Sequence, residues 1–377
     1  MDKMFDIEIK KIRNDIDHID DQILELISRR LAEVQKVVTL KKEHNMPVYH
    51  PAREEDLISK LRNQAVKSGI NPDFMEEIYR VILRNSRVEQ TVKMKQQGIK
   101  AGSNVLIVGG AGQMGKFFAG MFTSSGYKVR ILSEENWDQV ELLCKDIDLV
   151  LISVPINVTV KAIEQIAPHI PQTAILADIT SVKTAAMEEM LQRFKGPVIG
   201  LHPLFGPSCA SLDKQIIAMV PGRDNEGCRW LIDQLTIWGA IIVSSNANEH
   251  DEIMDLVQAL RHFATFCFGQ FLSQRKVDLA RSLEFSSPIY RLELGMVGRL
   301  FAQDSSLYSE IIFATPARRN LLKEYVACIN EQILLVENND KTLFKKRFSE
   351  ITDWFGSFSE QALRESDFII NKLIERF

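Results

Sequence analysis

The first 46 residues hold neither glycine nor proline. Nothing there interrupts a helix. Apolar residues recur at Ile12, Ile16, Ile19, Ile23, Leu26, Ile27, Leu31, Val34, Val37 and Val38, the spacing of one helical face. The pattern predicts a single helix from about residue 6 to 44, ended by Pro47. Such length exceeds that of an ordinary globular helix, so its apolar stripe needs other helices or a second chain to cover it. Cysteine is scarce: five in 377 residues (Cys144, Cys209, Cys228, Cys267, Cys328), odd in number and without metal-ligand spacing. That excludes a disulfide framework and a thiolate metal site, and it suits a reducing cytoplasm. No apolar run is long enough to span a bilayer, and no secretory leader is expected. Positive charge is not in excess: a net charge of -4 gives no electrostatic reason to expect nucleic acid. What is present is an ordinary soluble composition, 45% hydrophobic and 25% charged, long enough for two or three domains.

Pro51 stands where a first helical residue belongs, and Gly69 marks the stop of a second helix. Asn71 and Pro72 read as N-cap and first residue of a third, running to about Lys95. Three such helices make an all-α unit that cannot bury its faces alone. From Val105 the pattern turns to strand–helix alternation, which predicts a parallel doubly wound sheet. Strands are expected at 105–108, 128–132, 149–154, 174–177, 198–201, 216–220 and 241–243. Beyond Asn246 the strands stop. Helices follow with Phe263, Phe266, Phe268 and Phe271, then Phe344, Phe348, Phe355 and Phe358, a stripe that suits a core or a dimer interface. The expected domains are helical over 1–92, a linker over 93–103, a Rossmann-type α/β dinucleotide-binding domain over 104–246, and an all-α substrate and dimerisation domain over 247–377.

The run Val105–Val108 leads straight into Gly110-x-Gly112-x-x-Gly115, then a helix-like stretch and a second strand. The glycines allow a tight turn, close approach of backbone to a pyrophosphate, and close helix–strand packing. The helix N-terminus, including Gln113 and Met114, offers N–H groups to phosphates. An acidic residue ending the second strand would bind a ribose 2′-hydroxyl. Ser133 occupies the nearest position, followed by Glu134, Glu135 and Asp138, whose charge repels a 2′-phosphate; NAD is therefore expected. Ligands of such sheets lie beyond the carboxyl ends of the strands. Ser153-Val154-Pro155, residues 178–183 with Ser181 and Lys183, and residues 200–207 with His202 fall there. His202 directly follows an apolar strand; it is either a base or a structural histidine bonded to backbone.

The helical C-terminal region carries His262, Arg291 and Arg299. The two arginines lie eight apart, so one can pair internally while the other faces an anion. On the first helix Arg30 and Lys41 share a face at roughly 16 Å along the axis, whereas Arg13 and Arg30 are roughly 25 Å apart. If both arginines bind one small molecule, one comes from a second chain. Arg53 and Glu54, with Ser86 and Gln90 four apart on one face, would complete such a site. An amphipathic coiled-coil arm is the alternative reading.

The N-terminal part resembles the all-helical class of chorismate mutase, whose motif falls on Arg13, Arg30, Lys41, Arg53, Glu54, Ser86 and Gln90. His50 stands where the related mutase fused to prephenate dehydratase has Asp. The remainder resembles prephenate dehydrogenase, through Gly-Leu-His-Pro-Leu-Phe-Gly-Pro at 200–207, Ala-Leu-Arg-His-Phe at 259–263 and Ser-Ser-Pro-Ile-Tyr-Arg-Leu-Glu at 286–293. Over nearly its full length the chain is similar to the bifunctional chorismate mutase/prephenate dehydrogenases of tyrosine biosynthesis, the T-protein family. That resemblance implies an isomerase and an NAD-dependent oxidoreductase in one cytoplasmic homodimer, with L-tyrosine as feedback inhibitor. It implies Lys41 and Gln90 as catalytic in the mutase, with Arg13, Arg30, Arg53, Glu54 and Ser86 binding its substrate. It implies His202 as base with Ser181 orienting it, and Lys183, His262 and Arg299 as prephenate contacts, Arg291 being structural. The expected cofactor contacts are Gly110, Gly112, Gln113, Met114, Gly115, Ser133, Glu134, Val154 and Pro155. Two alternatives are a β-hydroxyacid dehydrogenase, whose lysine pattern does not match the His202 string, and a non-catalytic NAD-binding regulator.

Overall fold

The computed structural model describes residues 3–43, 50–94, 98–209 and 211–374. The chain forms two compact units, one of residues 1–154 and 159–246, the other of 155–158 and 247–377.

The first unit opens with three helices, α1 (Lys3–Glu43), α2 (Pro51–Lys67) and α3 (Pro72–Met94). Their ends follow from local chemistry. The His50 ring accepts from the Arg53 N–H at 3.2 Å and caps α2. Gly69 leaves the helix at φ +70°, a conformation glycine takes without strain. The Asn71 side chain accepts from Asp73 N at 2.8 Å and starts α3. Pro47 and Lys95, expected at helix ends, lie outside the described residues.

A seven-stranded sheet follows. Its elements are β1 (Asn104–Val108), α4 (Gln113–Ser124), β2 (Lys128–Leu132), α5 (Val140–Leu143), β3 (Leu149–Ile152), α6 (Ile156–Ile166), β4 (Ile175–Asp178), α7 (Thr184–Arg193), β5 (Val198–Pro203), β6 (Ile216–Arg223), α8 (Asn225–Ile237) and β7 (Ile241–Ser244). The order is β2-β1-β3-β4-β5-β6-β7. All seven expected strands form, but the sheet is not wholly parallel: β6 runs antiparallel to β5. A parallel neighbour needs a crossover, usually helical. The described residues of 204–215 supply none, and β6 runs back along β5; α8 then provides the crossover that makes β7 parallel to β6. Around Phe118, Phe122 and Trp238 the core is largely apolar; its polar groups are paired, the indole N–H donating to Ser125 Oγ at 2.9 Å and the Tyr127 hydroxyl to Gln234 Oε1 at 2.6 Å.

The three helices lean on this sheet domain. Val38 of α1 packs with Ile237 of α8 and with Ile99. The described part of the expected linker is docked: Ile99 N donates to Gln234 Oε1 at 2.9 Å and Lys100 N to the Tyr127 hydroxyl at 3.2 Å. Further toward the N-terminus Ile12, Ile16, Ile19 and Ile23 stay about half exposed, at 49–53%.

The second unit is helical: α9 (Ala247–Met254), a π-helical turn over Asp255–Leu260, α10 (Arg261–Gln274), α11 (Leu279–Glu284), α12 (Pro288–Phe301), α13 (Ser305–Phe313), α14 (Pro316–Glu337), α15 (Lys341–Phe355) and α16 (Ser357–Ile374). All five cysteines are unpaired. Among the described residues no helix is long and apolar enough to cross a membrane, and no cluster of side chains is suited to a metal ion.

Candidate active sites

The turn after β1 is built around close backbone contacts. Gly109 has φ +81°, and a Cβ there would lie 2.3 Å from the Ser153 carbonyl beyond β3. Because β1 is flanked by β2 on one side and β3 on the other, this is the sheet's topological switch point, where such folds bind ligands. A Cβ on Gly115 would meet Gly109 O at 2.5 Å, so α4 packs against the turn at a distance only glycine permits. Gly112 is the N-cap of α4 with no side chain closing it. The first N–H groups of α4, those of Gln113, Met114 and Gly115, are thus open to an anion. A glycine cradle, an uncapped helix and Val154 across the crevice fit a dinucleotide. At the end of β2, Ser133 is engaged locally: its N–H donates to Asn136 Oδ1 at 2.7 Å and its hydroxyl at 3.2 Å. Glu134 and Glu135 follow in the first turn, exposed.

The next two strands carry the candidate base. β4 and β5 are parallel neighbours, Asp178 opposite Gly200. His202 lies at the carboxyl end of β5, 2% exposed and paired in register with Ala218 of β6. Ser181 follows β4 and is half-buried. Asp178 is wholly buried, which is costly for a carboxylate unless charge and hydrogen bonds compensate. It accepts from Thr180 N at 3.1 Å and Thr180 Oγ1 at 2.5 Å, and from the Lys183 ammonium in a short ion pair. Lys183, expected as a prephenate contact, is itself fully buried; its ammonium also donates to the Leu201 carbonyl at 2.7 Å, one residue before His202.

The helical arm assembles a second cluster. Arg30 Nη1 donates to Ser86 Oγ at 2.9 Å, joining α1 to α3. One turn along α3 is Gln90, buried, whose Oε1 has no partner among the described residues. Lys41 is pulled below the usual ammonium range by burial, an effect the Glu54 carboxylate partly offsets. Glu54 does not stand free: both its oxygens accept from Arg87 Nη1 at 2.7 Å. Arg87 also donates Nε to Asp213 at 3.0 Å, on the segment between β5 and β6. Removing one partner of so buried a pair typically costs about 3–5 kcal/mol. Arg87 and Asp213 were not expected from the sequence. The remaining two mutase residues lie apart from the cluster. Arg53 is exposed and pairs with Asp56 at 3.1 Å, and Arg13 is exposed on α1.

In the second unit His262 is buried at the start of α10, its ring 4.7 Å from Tyr308 edge-to-face and its Nδ1 3.2 Å from Arg261. Burial, with the adjacent Arg261 charge adding to it, lowers its pKa to about 4. Arg299 is exposed in the last turn of α12, while Arg291 donates to the Leu283 carbonyl at 2.8 Å. The preceding π turn has an anchor no sequence pattern announced. Arg318 is fully buried, with Nε on Asp255 at 2.7 Å and Nη1 on the Ile311 carbonyl at 2.5 Å.

An α/β sheet with a glycine-cradled switch point, a strand-end histidine and a following helical unit define a nucleotide-binding dehydrogenase carrying an additional all-helical arm. Comparison with known proteins agrees. Residues 12–91 match chorismate mutase type II, 124–241 the prephenate dehydrogenase nucleotide-binding domain, and 246–350 the prephenate dehydrogenase dimerization domain. The chain is 41% identical to a T-protein of Enterobacter agglomerans, over 95% of this chain and 96% of that one. It is equally identical to a T-protein of Haemophilus influenzae, over 95% of each. In fold it resembles the prephenate dehydrogenase of A. aeolicus crystallised with hydroxyphenyl propionate and NAD+, with a TM-score of 0.55 at 18% identity, covering 67% of this chain and 97% of that one. The chain belongs to the bifunctional chorismate mutase/prephenate dehydrogenase family of tyrosine biosynthesis. It carries both activities, an isomerase and an oxidoreductase.

Proposed function

We propose that the two activities run in sequence, on two sets of residues. Residues 1–92 form the mutase, 104–246 bind NAD, 247–377 complete the dehydrogenase and pair two chains, and 93–103 join the first two. The mutase rearranges chorismate to prephenate with no nucleophile or proton transfer, so its residues position substrate and stabilise charge. Arg30, Arg53 and Arg13 of the partner subunit hold the two carboxylates. Lys41 and Gln90 face the ether oxygen as its bond breaks, and Glu54 and Ser86 bind the ring side. The buried, unpartnered end of the Gln90 amide supports this assignment, because a ligand would satisfy it.

Bound NAD supplies the hydride acceptor for the second step. Gly110, Gly112, Gln113, Met114 and Gly115 would hold its pyrophosphate, Ser133 and Glu134 its adenosine ribose, and Val154 and Pro155 would be further contacts. Negative charge at Glu134 and Glu135 favours NAD over its 2′-phosphorylated counterpart. An imidazole nitrogen of His202, oriented by Ser181, takes the proton of the prephenate ring hydroxyl, and aromatisation expels CO2 to leave 4-hydroxyphenylpyruvate. Arg299 holds a prephenate carboxylate, a task suited to a bidentate guanidinium. His262 and Lys183 are further contacts, and L-tyrosine inhibits at the same residues, His262 distinguishing it. The five unpaired cysteines suit a cytoplasmic location.

The observation that carries this reading is His202, buried at the carboxyl end of β5. His202→Asn keeps a polar side chain of similar size but cannot take up the proton. Dehydrogenase turnover should fall by about 10²–10⁴-fold, the usual worth of acid–base catalysis, while mutase activity and NAD binding persist. The wild-type rate should also fall on acidification, as a histidine base takes up a proton before it meets substrate, and the mutant's residual rate should lack that limb. Near-normal turnover with the same limb would make His202 structural.

A further inference from the structure

Arg87 belongs to none of the expected site residues, yet it is 7% exposed and holds two carboxylates from distant parts of the chain. One is Glu54 on α2, bound through both oxygens. The other is Asp213, whose side chain is 8% exposed. The described residues give the Asp213 carboxylate no partner except Arg87, and its Oδ1 is buried without one. Asp213 therefore has no local role in its own segment that would explain its burial.

Its backbone, by contrast, is firmly placed. Leu212 beside it is fully buried, and Lys214 on its other side donates its N–H to Gly239 O at 3.0 Å. Gly239 takes φ +102°, and a Cβ there would come within 3.0 Å of Asp213 Cα, so the chain closes on Asp213 where only glycine fits comfortably. The direction of support follows: a rigid point on the sheet domain holds a flexible guanidinium, which holds Glu54.

We propose that the dehydrogenase half of the chain completes the mutase site: Asp213 and Arg87 are positioning residues that fix the Glu54 carboxylate for the mutase substrate. This rests on the assignment of Glu54 as a chorismate contact. Arg87 suits the task because its fork can serve two carboxylates at once, whereas a lysine ammonium is a single point. The mutase then depends on a residue that follows the catalytic strand of the other enzyme, although Asp213 itself touches neither substrate.

The test uses the full-length protein and both assays. Asp213→Asn should raise the chorismate KM about tenfold, the order expected for weakening one charge-assisted hydrogen bond, with mutase kcat changed less than about threefold. Dehydrogenase kinetics on supplied prephenate should stay within about twofold, which separates this from general misfolding. Arg87→Lys should be milder than Arg87→Met, and Arg87→Met combined with Asp213→Asn no worse than Arg87→Met alone, since both act through one contact. If Glu54→Gln is impaired but Asp213→Asn leaves the chorismate KM unchanged, the inference is wrong while the mutase assignment stands. If Glu54→Gln is itself silent, that assignment fails and the inference with it. Equal loss of both activities in Asp213→Asn would make the bridge a matter of stability alone.

Discussion

His262 is the histidine whose environment most alters its chemistry. Held at a pKa of about 4 by burial and by Arg261, it is neutral at physiological pH. Stability carries the same signature. Above about pH 6.5 neither folded nor unfolded chain protonates this ring. Between 6.5 and about 4 only the unfolded chain does, so stability falls as pH drops through that window and the group's effect levels off below it. His262→Asn should flatten the decline in the denaturation midpoint between pH 6.5 and 4.5; an unchanged slope would mean the ring is not held neutral. Single residues show where sequence reasoning stops. Arg87, Asp213 and Arg318 appear in the sequence as ordinary charges, and Lys183 as a substrate contact. Only the fold shows that they are buried and paired, because the partners lie 33, 126, 63 and 5 positions away.

Among the elements, α1 makes the strongest statement. Ile12, Ile16, Ile19 and Ile23 form an exposed apolar stripe on the turns around Arg13, while the Arg30 end of the helix is already packed on α3. Burying four isoleucines is worth several kcal/mol at about 1.5–3 kcal/mol each, so a second copy of the chain is the natural cover. It would bring Arg13 to the partner's cluster across the roughly 25 Å that separates it from Arg30 along one helix. Mixing an Arg13→Ala chain with an Arg30→Ala chain should then restore mutase activity toward about a quarter of wild type, since random exchange makes half of the dimers mixed and leaves one of the two sites in each intact. No recovery after demonstrated subunit exchange would place both arginines in one-chain sites. At this scale the sequence was largely legible, because period and punctuation set helices and strands: Gly69, Asn71 and Pro72 mark real ends, and all seven strands form. The reversal of β6 and the π turn at Asp255–Leu260 were not legible. Each depends on what the neighbouring chain does, a missing crossover in one case and the buried Arg318 in the other.

Taken whole, the molecule joins two chemistries that share an intermediate. Five of the seven mutase residues read from the sequence meet or neighbour one another on α1, α2 and α3, and the dehydrogenase half presents a dinucleotide cradle and a strand-end histidine. The most direct measurement supplies chorismate to the purified protein, with and without NAD, and identifies the products by chromatography and mass spectrometry. Without NAD, prephenate should accumulate and stop there. With NAD, 4-hydroxyphenylpyruvate should form with one NADH and one CO2 per chorismate consumed. Prephenate that persists undiminished in the presence of NAD, or chorismate that is not consumed at all, would contradict the account.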